Sequence, residues 1–127
     1  MKIYLLDAGG AGLIFGFLII FMLIAILIEA ATMAVMKYNK FGKALLDSLI
    51  ANIVSLCLGF IFIQFFDSLD ITDNYLLNML ILFLSTVAIE FAALYLLNQS
   101  KPAIKTLTAC FIMNIFTYAI LYFLRIG

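Results

Sequence analysis

The sequence contains no histidine, two cysteines and few charges: 11% of its 127 residues are Asp, Glu, Lys or Arg, against 68% hydrophobic. Each shortage excludes something. Without histidine or clustered cysteines, zinc, haem and iron–sulfur centres lack their usual ligands, so neither a metal nor a cofactor is expected. With no serine beside a general base and no paired acids at an exposed surface, the nucleophilic and acid–base templates find nothing to fit. No catalytic residue and no enzyme activity are expected. Seven basic residues balance seven acidic ones, and no basic groove is available for nucleic acid. Cys57 and Cys110 fall inside apolar runs at depths about nine residues apart, on the order of 13 Å at the helical rise. A disulfide does not span that gap.

What remains is apolar and long. The charges gather in residues 2–7, 37–47, 67–73 and 101–105, with Glu29, Glu90 and Arg125 as the exceptions. The intervening segments, roughly 11–36, 45–66, 75–97 and 104–124, each meet the requirement of about 20 apolar residues for a bilayer crossing. Backbone amides in lipid must be satisfied internally, and these runs are continuous rather than alternating, so the spans are helices and not barrel strands. The expected fold is an all-α membrane protein, four transmembrane helices packed as a bundle in a single integral membrane domain over residues 1–127. The first apolar run is about twice the length of a typical signal-peptide core and has no clear small-residue cleavage site before Lys37, so it is read as a mature helix.

Basic residues set the expected orientation. KYNKFGK carries Lys37, Lys40 and Lys43, and NQSKPAIK carries Lys101 and Lys105. The positive-inside rule places both connections in the cytoplasm and both termini outside, in what is read as a bacterial inner membrane. FDSLDITDN, with Asp67, Asp70 and Asp73, lacks the alternate-residue spacing and the glycine of a calcium loop. It is read as a solvated turn in which Thr72 or Asp73 caps the third helix.

The chain also resembles itself. KALLDSLIANIVS (Lys43 to Ser55) lies over KTLTACFIMNIFT (Lys105 to Thr117), and IEAA around Glu29 lies over IEFA around Glu90. Apolar matches are cheap in such a sequence, and the weight rests on Glu, Asn and Lys. Two tandem, parallel helical-hairpin repeats are expected, about 11–66 and 75–124, related by a pseudo-two-fold axis along the membrane normal.

Depth decides which polar groups can meet. Glu29 and Asn52 both sit on the order of 12–14 Å from the Lys-rich ends of their helices, and Glu90 and Asn114 lie at comparable levels. Residues three or four apart share a helix face. On that basis Ser48, Asn52, Ser55 and Gly59 form one stripe, and Cys110, Asn114 and Thr117 another. Ala25, Glu29 and Thr32 form a third, and Thr86, Glu90 and Ala93 a fourth. Small and polar faces of this kind belong at helix contacts. Gly12 and Gly16 add a small-xxx-small pair, whereas Tyr118 and Tyr122 read as lipid-facing or interfacial packing. Asp47, four residues after Lys43, reads as a surface ion pair.

An ionised carboxylate at a helix centre costs about 2.5–3.5 kcal/mol on insertion scales, which makes an intramembrane Glu a functional candidate. Burial favours the neutral acid, able to donate to an Asn or a carbonyl. Glu29, Asn52, Ser55, Glu90, Asn114 and Thr117 are therefore the candidate layer, either polar glue between helices or a proton or ion site.

AILIEAATMAVMKY (Ala25 to Tyr38) resembles the first helix of the small multidrug resistance transporters, in which a Glu follows an Ala-Ile-Leu-type run and precedes a Met-Lys-aromatic exit. The resemblance implies a four-helix transporter in which Glu29 exchanges protons for cationic drugs. It covers this helix alone. The third and fourth spans lack the family's glycine-rich patterns, and the third carries a second Glu.

Two functions follow. The first is a non-enzymatic structural or accessory subunit, partnered by the lipid bilayer and by copies of itself or other membrane subunits. The alternative is a small proton- or cation-coupled transporter or channel that uses Glu29 and Glu90. Connections this short favour the first.

Overall fold

The computed structural model describes residues 8–66 and 73–126, and the regular structure in them is helical. Helix α1 spans Ala8–Val35, α2 Phe41–Phe66, α3 Tyr75–Leu97 and α4 Ala103–Ile126. All four are long and apolar enough to cross a membrane. The helix α2 starts at Phe41 rather than near residue 45. Lys43 thus lies in its first turn, where a long side chain can keep its ammonium in the interface while its stem lies along the helix.

The ends are closed by specific backbone bonds. The amide of Tyr38 reaches Met33 O at 2.9 Å and that of Lys37 reaches Ala34 O at 3.0 Å, the paired bonds of a Schellman motif. The motif needs a left-handed residue, and Lys37 supplies it at φ 55°, a conformation that costs a non-glycine residue about 1–2 kcal/mol. Tyr38 and Met33 are both buried in the core, the apolar contact that usually accompanies this cap. At the other membrane face, Asn74 caps α3 by accepting from the Leu77 amide at 3.2 Å. This corrects the expectation of Asp73, since Asn74 holds the extended backbone of the cap position. Thr72, the other candidate, and Asp67 and Asp70 lie outside the described residues.

The helices form a square. Helix α1 packs on α2 and α4, and α3 packs on the same two, while α1 and α3 face each other across the centre without close backbone approach. Because every helix is apolar all round, hydrophobicity alone does not say which face turns inward. Size and polarity do. The interior holds Ala25, Ala30, Ala44, Ala51 and Ala109 with Met33, Leu94 and Met113, whereas Phe17, Val35, Ile104 and Phe123 stand outward. Small residues admit close backbones, and lipid accepts the bulky ones at no cost. Gly12, Gly16 and Gly59 do not mark helix contacts, for a Cβ built on any of them meets nothing within 4 Å.

Candidate functional site

Glu29 and Glu90 are each 1% exposed, placed inside by the small faces on which they lie. Asn52 Nδ2 donates to Glu29 Oε2 at 2.5 Å, and Asn114 Nδ2 donates to Glu90 Oε2 at 2.6 Å. The same amide nitrogens also donate one turn back along their own helices, to Ser48 O and Cys110 O, both at 2.9 Å. An Asn amide has two hydrogens, and one serves each bond. The back-bond fixes the rotamer that aims the other hydrogen at the acid.

The two acids differ in what else they meet. Ser48 Oγ donates to Glu29 Oε2 at 2.7 Å, and Thr117 Oγ1 lies 3.4 Å from Glu29 Oε1. Thr117 is also 3.2 Å from Met113 O, and its single hydroxyl hydrogen serves one acceptor at a time. Among the described residues, Asn114 is the one hydrogen-bond donor to Glu90. The position matching Ser48 in the second hairpin is Cys110, whose thiol is a weak donor. Ser55, in the place corresponding to Thr117, is half-buried and takes no part in these bonds.

The contact between Thr117 and Glu29 joins α4 to α1, and Asn114, three residues earlier on α4, holds the acid of α3. Helix α4 thus brings both carboxyls to one level, facing the centre of the square from opposite sides. They are close enough to feel each other's charge. Two like charges so placed in a low dielectric repel, so the favoured state of the pair carries at most one of them. No lysine or arginine among the described residues pairs with either acid, the one ion pair being that of Lys43 and Asp47.

A second polar cluster closes the Lys-rich end. Asp47 is 2% exposed, not the surface partner that its spacing from Lys43 suggests. Lys43 Nζ reaches Asp47 Oδ2 at 2.9 Å, Asn39 Nδ2 reaches it at 2.7 Å and Asn98 Nδ2 at 2.9 Å. Lys43 and Asn39 also donate to Asn98 Oδ1, at 2.7 and 3.0 Å. This network ties the connection after α1, the start of α2 and the end of α3 together. Beside it Tyr38, buried, shares a hydrogen bond with Thr106 of α4 at 2.8 Å. Burial pushes the Tyr38 phenol above the usual tyrosine range, so it stays neutral.

Tyr118 is not lipid-facing. Thr86 spends its hydrogen on Leu82 O at 2.8 Å, so in the 2.8 Å contact between the two hydroxyls Tyr118 is the donor. Its ring also meets Phe83 edge-on at 5.4 Å. Cys57 is exposed and Cys110 buried, and both are free thiols. Asn39, Asn98 and Thr106 carry no weight in the sequence reading. Two lie beyond the predicted spans, and a single Asn in a connection is an ordinary turn residue.

No protein-family model matches the chain, and no curated protein or solved structure matches it.

Proposed function

We propose that this small membrane protein is a non-enzymatic structural or accessory subunit, assembled with copies of itself or with other membrane proteins. The observation that carries the reading is that each intramembrane acid is held by an Asn of its own hairpin. Such a layer fixes helix register, because sliding a helix by one turn (about 5.4 Å) would leave a carboxyl and an amide unpaired in lipid. The connections of residues 36–40 and 98–102 supply little surface for a gate, and the outward faces are apolar from end to end. Lys37, Lys40, Lys43, Lys101 and Lys105 mark the cytoplasmic side in this reading, with both termini outside. The matching Glu–Asn bonds and matching back-bonds further support two tandem hairpin repeats of parallel orientation.

A second reading is favoured by the opposition of Glu29 and Glu90 across the bundle. Two acids that share one charge form a proton-exchanging pair, the element that a proton- or cation-coupled transporter requires. Replacing both with Gln keeps hydrogen bonding and removes titration, and so separates the readings. As glue, E29Q/E90Q assembles like the parent and proton flux in liposomes is the same for both. Unchanged assembly with loss of a proton flux that the parent shows would sink the subunit reading.

A further inference from the structure

At the Lys-rich end of the bundle the structure holds an open cavity of about 440 Å³, bounded by Ala34, Lys37, Tyr38, Asn39, Lys40 and Lys101. We propose that it binds the phosphoryl group of an anionic phospholipid headgroup.

Charge comes first. Three of the six bounding residues are lysines and none is an acid. The nearby carboxylate, Asp47, is already occupied by Lys43, Asn39 and Asn98. Lys37 and Lys40 are exposed, and neither forms an ion pair with an acid among the described residues. Three cations converge on one hollow without an internal counter-charge, and a phosphoryl oxyanion supplies it.

The hollow is also built rather than incidental. Its floor is Tyr38, pinned through its hydroxyl to Thr106 and through its backbone to the Schellman cap of α1. Lys101 lies over the Tyr38 ring, 4.9 Å from its centroid, and donates to Tyr38 O. An ammonium has three hydrogens, so Lys101 is held in place with donors left for a ligand. The left-handed backbone of Lys37 turns the chain at the mouth of the hollow. That strain sits where a straighter exit from α1 would carry Lys37 and Lys40 away from Lys101.

Position selects a lipid over a free anion. The cavity lies where α1 ends and α4 begins, the level at which headgroups meet the bundle. Val35 and Ile104, 82% and 70% exposed, present apolar surface to acyl chains at the same end. A headgroup there would bridge the two connections, strengthening the link that Tyr38 and Lys101 already make.

Lipid retention by the purified full-length chain, read by native mass spectrometry from mixed micelles of phosphatidylglycerol and phosphatidylcholine, tests this. Phosphatidylglycerol is expected to be retained in preference. K37Q/K40Q should weaken that retention by about 25-fold, from roughly fivefold per lysine near an anionic headgroup, while K105Q, which alters a lysine outside the cavity, should not. Equal retention of the two lipids, or the same loss with K105Q as with K37Q/K40Q, would overturn the site. Inorganic phosphate separates the sources. A headgroup anchored by its chains resists competition by millimolar phosphate, whereas displacement would identify a free-phosphate site and refute the lipid assignment.

Discussion

Asn52 and Asn114 stand in corresponding places and make corresponding bonds, yet their removal should not cost the same. Leucine is the informative substitution because it nearly preserves volume and leaves no cavity. Both variants lose the back-bond to the preceding turn, 2.9 Å in each case, so that contribution cancels. In N52L, Glu29 keeps Ser48 at 2.7 Å and Thr117 at 3.4 Å. The loss is then one interhelical hydrogen bond in a membrane, about 0.6 kcal/mol. In N114L, Glu90 loses its one hydrogen-bond donor among the described residues and stays buried. A buried polar group left without a partner costs about 1–3 kcal/mol. The expected gap is about 1.4 kcal/mol, a tenfold difference in the unfolding equilibrium. SDS titration in mixed micelles, with pulse proteolysis to count unfolded chains, has the resolution to see it. N114L/E90L is the control, since removing both partners of a buried bond is nearly neutral and should recover stability relative to N114L. Equal costs for N52L and N114L, or a double variant less stable than N114L, would refute the claim that Glu90 depends on a single partner.

The network at the Lys-rich end gives a second test. D47A strips three donors of their acceptor, but Lys43 is 49% exposed and rehydrates, so its share is discounted. Loss of the Asn39 and Asn98 bonds should cost about 2–3 kcal/mol in the same titration, and D47N should cost less. A D47A variant as stable as the parent would show the cluster to be ornamental. Orientation is checked by a cysteine at Lys40 in a Cys57→Ser background: a membrane-impermeant maleimide should label it in inverted vesicles and not in intact cells. Labelling from outside would reverse the assigned topology.

How much of this was visible beforehand follows from what each residue needs. The spans were legible because membrane insertion reads length and hydropathy, both linear properties. Asn52 with Glu29 and Asn114 with Glu90 were legible from depth, since helical rise converts residue counts into levels. The Thr117 contact to Glu29, and the exclusion of Ser55, were not. Levels say nothing about which helix lies clockwise of which, and Thr117 reaches an acid 88 positions away. Tyr118 was misplaced for a related reason: on a helix apolar all round, a lone aromatic carries no signal of its face. Asp47 was misread because its i,i+4 lysine is a sufficient partner on an isolated helix. Only folding brings Asn39 and Asn98 to it.

By itself, then, the sequence determined four membrane-crossing helices and the heights of their polar residues, because lipid forces every backbone to satisfy itself and rejects charge. Tertiary structure decided the order of helices around the square and with it the unequal partnering of Glu29 and Glu90. It also decided the burial of Asp47 and the convergence of Lys37, Lys40 and Lys101 on one hollow. These depend on rotation and neighbour choice. In a chain this uniformly apolar, those are settled by the packing of small faces against one another and not by any contrast between oil and water along a single helix.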